Sequence, residues 1–444
     1  MNIKYPKYVD TVFRLFFESG FEAYAVGGCI RDSIMGKTPD DWDITTSSTP
    51  EETMTVFKDY KVIPTGLKHG TVTVIIDEAH LEITTMRIDG EYRDNRRPDR
   101  VEFTADIEKD LSRRDFTVNA MAYSRTGILI DPFSGIKDIE SRNIRCVGNP
   151  DKRFEEDALR IIRALRFASV LDFKIDRQTD ESIRRNAHLL LNVANERIRV
   201  ELVKLLQGKG VERILTEYKD VIFTIIPELK ATDNFPQNTP YHIYDVWRHT
   251  TKVVANVKCT PELRIAALLH DVAKPQKFYS DADGIAHFKG HPEASAQIAS
   301  DVMKRLRFSN AEIASVCSII RLHDARPDGS KNKIAKLCSE HSCNTVRQTL
   351  ELMSADAAGK NPEYYEKNIQ AYSIARKHLD EVEQSAICLN LSELQVNGKD
   401  IIALGFKGRE IGKMLGTLLE LVIDEKIENK KEILLNTAKK MKNI

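Results

Sequence analysis

The sequence predicts an α+β protein with its strands confined to the first third and helices through the rest. Three observations carry this. Short alternations at Tyr60–Ile63, Thr71–Ile76 and Leu81–Met86 have the period of two expected of half-buried strands. From Arg153 onward the apolar residues recur at three and four, the spacing of amphipathic helices. Seven of the 11 histidines then fall between His242 and His341, a shift in composition within the helical part. The chain accordingly divides into a head (1–145), a neck (146–235), a histidine-rich segment (236–345) and a tail (346–444).

Composition sets the outer limits. At 444 residues, 42% apolar and 30% charged, the chain can bury a large core and is not of the disordered class. Lys+Arg and Asp+Glu are both 66, so any polyanionic partner must be met by a local basic patch. The 7 cysteines are scattered, as free thiols of a reducing compartment are. Cys338, His341 and Cys343 lack a fourth zinc ligand nearby. The N-terminus has no signal-peptide core and no apolar run reaches membrane-spanning length, so the expectation is a cytoplasmic protein with no membrane partner.

In the head, Lys7–Ser19 places Val9, Val12, Phe13, Phe16 and Phe17 at helical spacing and stops at Gly20. Glu22–Val26 is a short strand delivering Gly27-Gly28, where missing Cβ atoms admit a bulky anion close to the backbone. Arg31 follows within one helical turn, where guanidinium and helix N-terminus both suit phosphate. Asp41 and Asp43 alternate along a strand, so both carboxylates face one way, as two divalent cations shared with a triphosphate require. Thr49-Pro50-Glu51-Glu52 is a capping box with Pro at the first helical position. Glu82 offers a third carboxylate from a neighbouring strand; an exposed strand glutamate is the equally good alternative. The charged run Arg87–Pro98 reads as a mobile loop over the active face. Arg113 and Arg114 are candidates to grip phosphate, and Asn119 a sugar hydroxyl, with structural arginines as the competing account.

Gly27-Gly28-Cys29-Ile30-Arg31-Asp32, Asp41-Trp42-Asp43, Leu81-Glu82-Ile83-Thr84 and Arg113-Arg114-Asp115-Phe116-Thr117-Val118-Asn119-Ala120, in this order and spacing, resemble the head of the class II tRNA nucleotidyltransferases. That family contains bacterial CCA-adding enzymes and poly(A) polymerases, within the polymerase-β-like nucleotidyltransferase superfamily. The resemblance implies a polymerase-β-like head with a mixed sheet, followed by all-α neck, HD and tail domains. It also implies Mg2+ held by Asp41 and Asp43 with Glu82 assisting, and a triphosphate held by Gly28, Arg31 and Arg114.

In the neck, Arg153–Phe167 reads as one amphipathic helix, with Ala158, Ile161, Ile162 and Leu165 buried and Asp157, Arg160 and Arg163 opposite. Cytosine and adenine each present an amino donor beside a ring-nitrogen acceptor. A carboxylate can accept from the first while a guanidinium donates to the second. Uracil and guanine reverse the pattern and would leave buried groups unpaired, at about 1–3 kcal/mol each. Without the head motifs, a plain surface Asp–Arg pair would be the better account. The stretch is similar to the family's Glu-Asp-x-x-Arg motif, which implies that Asp157 and Arg160 read the base and that Arg163 and Arg166 support the nucleotide.

Farther on, His249, Leu268-Leu269-His270-Asp271, Gly290-His291 and Ala355-Asp356-Ala357 resemble, in order, the HD superfamily of metal-dependent phosphohydrolases. The resemblance implies a second divalent metal (Mg, Mn, Ni or Fe) on His249, His270, Asp271 and Asp356, with His291 and His323 as further candidates. In the tail, Gly405-Phe406-Lys407-Gly408-Arg409-Glu410-Ile411-Gly412 resembles a C-terminal element of the bacterial tRNA nucleotidyltransferases. Lys407 and Arg409 are candidates for a phosphate of the tRNA acceptor arm, with close helix packing an equally good account.

The leading reading is template-independent addition of CCA to the 3′ end of tRNA from CTP and ATP. An A-adding enzyme or a poly(A) polymerase shares its head and neck; the intact Arg87–Pro98 run argues only against CC-only addition. A rival of another class is an HD-type phosphohydrolase whose head merely binds nucleotide. A scaffold without turnover fits poorly, because carboxylates facing phosphates without cations only repel them. The sequence leaves the oligomeric state open.

Overall fold

Alternation in the head becomes a seven-stranded sheet. The computed structural model describes residues 3–67, 70–90, 101–325, 330–385 and 387–442. Its first elements are α1 (Lys7–Glu18), β1 (Ala23–Val26), α2 (Gly28–Ile34), β2 (Asp43–Thr46), α3 (Pro50–Val56), β3 (Lys61–Gly66), β4 (Thr71–Ile76) and β5 (Ala79–Thr85). The antiparallel pair β6 (Arg87–Asp89) and β7 (Val101–Phe103) follows, then α4 (Ile107–Ser112), β8 (Ala122–Ser124), β9 (Leu129–Ile130) and α5 (Gly135–Glu140). The sheet runs β3-β4-β5-β2-β1-β8-β9 and is mixed: β2 and β5 are parallel, every other neighbouring pair antiparallel.

Local chemistry explains these elements. Strand β4 buries Val72, Val74 and Ile76 on one face, as its alternation requires. Helix α1 buries Val9, Val12, Phe13 and Phe16, and Gly20 beyond its end takes a left-handed φ of 81°. Thr49 and Glu52 form the capping box expected at the start of α3. Of the run expected to be a loop over the active face, the part within 91–100 lies outside the described residues.

The neck consists of α6 (Pro150–Glu156), α7 (Leu159–Leu171), α8 (Arg177–Asn186), α9 (Asn195–Leu206), α10 (Val211–Glu217) and α11 (Lys219–Ile225). The single helix expected over Arg153–Phe167 is therefore two. Asp157 interrupts it with an extended backbone (φ −142°, ψ 101°). Its own carboxylate accepts the Leu159 N–H at 3.1 Å, a side-chain bond that competes with helix continuation. The expected stripe survives the break: Ala158, Ile161, Ile162 and Leu165 are all fully buried.

The chain divides into two compact units, Met1–Ile225 and Ile226–Ile444. The second contains α12 (Val246–Asn256), α13 (Pro261–Leu269), α14 (Lys274–Lys277), α15 (His291–Arg305), α16 (Asn310–Leu322), α17 (Lys331–His341) and α18 (Cys343–Ala358). After these come α19 (Tyr365–Gln384), α20 (Gly398–Ala403), α21 (Arg409–Ile423) and α22 (Lys431–Lys442). Helix α18 runs across the border expected at 345 and packs on α12, α13 and α16, so Asp356 belongs with the histidine-bearing helices. Ile334, Leu350, Leu379, Leu418 and Leu434 join a separate core beneath the tail. None of the described helices is long and apolar enough to cross a membrane.

Candidate active site and a buried histidine–aspartate centre

The register of β2 against β5 brings two carboxylates together. Ile44 aligns with Ile83, which sets Asp43 beside Glu82 at the preceding position, both outward from the buried Ile44 and Ile83. Trp42 turns inward against Tyr5, with ring centroids 6.3 Å apart, and leaves Asp41 and Asp43 exposed on either side of it. Strand β2 begins only at Asp43, so the expected strand alternation does not extend back to Asp41. Asp43 and Glu82 line a cavity of about 900 Å³, and so does Asp40; Asp41 lies outside that lining. Partial burial, with Glu82 and Asp41 adding, raises the Asp43 carboxyl above its ordinary value against the pull of Arg114. A floor of mutually repelling carboxylates is the donor chemistry that a hard divalent cation relieves.

Around this floor the cavity is basic. Nine arginines and lysines line it against five carboxylates, an excess that a chain of zero net charge concentrates in one place. Gly27 has a φ of 78°, which favours glycine, and a Cβ there would stand 3.1 Å from Arg114 Nη1, so the guanidinium would have to give way slightly. Gly28 opens α2, and Arg31 on that helix donates to Asn119 Oδ1 at 2.6 Å and to the Asp32 carboxylate at 2.9 Å. Asn119, expected as a partner for a sugar hydroxyl, thus also orients Arg31. Asp110 is fully buried on α4 and accepts from Arg113 at 3.0 and 2.7 Å, Arg114 at 3.4 Å and the Arg87 N–H at 3.2 Å.

The neck supplies the opposite wall. Asp157 and Arg160 both line the cavity, and the Arg160 N–H donates to the Asp157 carbonyl at 2.9 Å. The Asp157 carboxylate receives Arg197 of α9 at 2.8 and 3.3 Å. Arg160 donates to Glu156 at 2.6 Å and to the carbonyls of Arg153 and Arg113 at 3.1 and 3.0 Å. Arg163 grips Asp115 through Nε and Nη2 at 2.8 and 2.6 Å, and Arg166 meets Glu201 at 3.0 Å. The four expected neck residues therefore share one cavity with Gly28, Arg31, Arg114, Asp43 and Glu82. Reading by residue type missed the groups that hold these in place: Asp110, Arg197, Glu201 and the orienting role of Asp115. An acidic residue preceding two arginines was the available signal for Asp110.

In the second unit the histidines and aspartates converge. His249 Nε2 lies 2.9 Å from Asp356 Oδ1 and 3.7 Å from Asp271 Oδ2, and His270 Nε2 lies 3.2 Å from Asp271 and 3.7 Å from Asp356. His291 and His323 approach the other Asp271 oxygen at 3.3 and 3.7 Å. Two triads result, His249–His270–Asp271 and Asp271–His291–His323, with Asp271 in both. Every one of these residues is buried. Each Nδ1 faces a carbonyl: His249 that of Gly359, His270 of Ala267, His291 of Phe288 and His323 of Ile320. This fixes the tautomer and turns the Nε2 lone pairs inward, as metal-ligating imidazoles require. His270 Nε2 and both Asp271 oxygens lack a well-formed hydrogen bond, so the donor set fits a cation. Without a cation, burial opposes charging of His270, yet Asp271 and Asp356 outweigh it and push that imidazole up to about 9, so a cation taking the Nε2 lone pair would displace a proton. Lys274 and Lys360 stand 2.7 and 2.5 Å from Asp271 and Asp356. In the tail, Gly408, with a φ of 55°, precedes α21, and Lys407 and Arg409 are exposed there.

Comparison with known proteins agrees with this geometry. Residues 23–145 match the poly A polymerase head domain, 172–231 the RNA- and SrmB-binding site of polymerase A, and 276–438 the tRNA nucleotidyltransferase domain 2. The CCA-adding enzyme of Ligilactobacillus salivarius is 34% identical over 434 residues, 96% of this chain and 94% of that protein. The crystal structure of the Bacillus stearothermophilus CCA-adding enzyme in complex with CTP aligns with a TM-score of 0.74 and 26% identity, over 99% of this chain and 98% of that one. The Thermotoga maritima CCA-adding enzyme complexed with tRNA shares the fold at a TM-score of 0.58 and 20% identity, over 98% and 96% of the two chains. With a mixed-sheet head, a basic cleft over paired carboxylates and a relative matched along nearly its whole length, the chain belongs to the CCA-adding enzymes.

Proposed function

We propose that this chain, in the cytoplasm, adds CCA to the 3′ end of tRNA from CTP and ATP. The observation that carries the proposal is one cavity holding carboxylates, basic groups and a base-reading pair together. Asp43 and Glu82, with Asp41 beside them, would hold Mg2+. The chemistry supplied there is activation of the 3′-hydroxyl and charge neutralisation at the α-phosphate. Gly28, Arg31 and Arg114 bind the triphosphate, and Arg163 and Arg166 support it. Asp157 accepts from the amino group of C or A while Arg160 donates to the adjacent ring nitrogen. Uracil and guanine fail at both contacts. The head (1–145) thus performs transfer, the neck (146–235) chooses the base, and the tail (346–444), with Lys407 and Arg409, meets the acceptor arm.

The test offers tRNA ending at the discriminator base, with CTP and ATP separately and together. CTP alone extends it by CC, both together complete CCA, and Asp43→Asn abolishes all addition. Failure of CTP alone to extend the substrate refutes full CCA specificity and leaves an A-adding enzyme or a poly(A) polymerase.

A second activity rests on the buried histidine–aspartate centre. His249, His270, Asp271 and Asp356 would hold a divalent cation (Mg, Mn, Ni or Fe), His291 and His323 adding donors on the far side of Asp271. The chemistry such a centre supplies is phosphate-ester hydrolysis by a metal-activated water.

A further inference from the structure

Three guanidinium groups repel one another unless something offsets their charge. Arg31, Arg163 and Arg166 nevertheless gather around one ring, their guanidinium carbons 5.4, 5.5 and 4.0 Å from the centroid of Phe167. Burial, with Arg163 and Arg31 adding, lowers the Arg166 guanidinium below its ordinary value although Glu201 opposes them. Acidic partners serve these arginines piecemeal: Asp32 holds Arg31, Asp115 and Glu201 hold Arg163, and Glu201 holds Arg166. The ring is shared by all three.

Phe167 is itself fixed. It is 8% exposed, lines the cavity, and meets Phe116 edge-on at 5.7 Å and 75°. Phe116 belongs to the head, so the ring ties α7 of the neck to the Arg113–Ala120 segment. An aromatic face attracts a cation without neutralising it, whereas a carboxylate cancels the charge it binds. Guanidinium groups held by a ring keep their positive charge for an anion.

We infer that Phe167 is a positioning residue that gathers Arg31, Arg163 and Arg166 into a single receptor for the triphosphate of the incoming nucleotide. It sets affinity for CTP and ATP alike and plays no part in choosing between them. This rests on the nucleotidyl-transfer reading of the cleft.

The test measures CTP and ATP dissociation constants of the full chain by calorimetry without tRNA, and KM and kcat in tRNA extension. Phe167→Leu and Phe167→Met remove the aromatic face and keep most of the volume; Phe167→Tyr retains the face. Leu and Met should each weaken both nucleotides about tenfold, with KM following and kcat changing less. Tyr should restore binding to within about twofold of the parent. Unchanged nucleotide affinity in Leu and Met overturns the inference, as does a loss confined to one nucleotide or an equal loss in Tyr. Asp43→Asn is assayed in parallel. If it still adds nucleotides, the reading of the cleft has failed; if it is inactive while Phe167→Leu binds normally, the role of Phe167 alone has failed.

Discussion

Asp110→Asn is the substitution that separates a tether from a ligand. Asp110 does not itself line the cleft, yet accepts four hydrogen bonds from residues that do, two from Arg113, one from Arg114 and one from the Arg87 N–H. An amide of the same shape keeps one oxygen for Arg113 and the Arg87 N–H, without its charge, and turns an NH2 group toward the Arg114 guanidinium. Charge-assisted hydrogen bonds contribute about 1.5–3 kcal/mol each, and Arg113 and Arg114 can recover part of this from water in the cleft, so the net cost is about 3 kcal/mol. For a unit of 225 residues that lowers Tm by roughly 6–12 °C, read by calorimetry of the full chain. Arg114 loses its anchor, so KM for CTP and ATP rises for both, with their ratio unchanged. The pH dependence follows from sign. Burial alone would raise the Asp110 carboxyl, but Arg113 and Arg114 outweigh it and hold it below the ordinary carboxylate range. Its contribution is therefore present above the unfolded value of about 3.8 and lost as pH falls through the lower folded value. The variant should lose that part of the acid sensitivity. A parental Tm, or an altered preference between CTP and ATP, would refute the tether.

Two further outcomes test the other sites. Asp157→Ala should raise UTP misincorporation relative to CTP by about tenfold or more, and Arg197→Met should do so less, because it frees the carboxylate without removing it; sequencing of extended tRNA ends reads both. His270→Ala should lower metal content per chain, measured by elemental analysis after Mn2+ loading, while CTP and ATP addition stays at the parental rate; undiminished metal would remove the centre from consideration.

Much of this site was legible because its parts are local. Gly27-Gly28, Arg31, Asp43 and the Arg113-Arg114 pair, all on the cavity wall, each stand out within a few residues, whereas Asp41 falls outside that lining. The capping box at Thr49 and the helix over Lys7–Glu18 were legible for the same reason. What was hidden depends on partners distant in sequence. Nothing near Asp157 names Arg197, and the apolar period runs unbroken through the residue where the helix stops. The pairing of Asp43 with Glu82 depends on register between strands that no local pattern specifies. The second Asp271 triad likewise needed the ends of α15 and α16 to meet.

The parallel seam between β2 and β5 bears on how the enzyme comes into being. Strands β3, β4 and β5 form an antiparallel meander of strands adjacent in sequence. The β2–β5 seam joins residues 39 positions apart, as in the bond from Thr45 Oγ1 to the Thr84 carbonyl. Contacts across such separations close late, since their loop entropy must be overcome before they contribute. Asp43 and Glu82 sit on opposite sides of that seam, so neither folding piece carries the carboxylate pair alone. A chain emerging from the ribosome thus lacks the Asp43–Glu82 pair, which the proposed reading of the cleft needs for its cations, until its sheet has joined. Weakening the seam at Thr45 should cost activity before it costs the bulk of the fold.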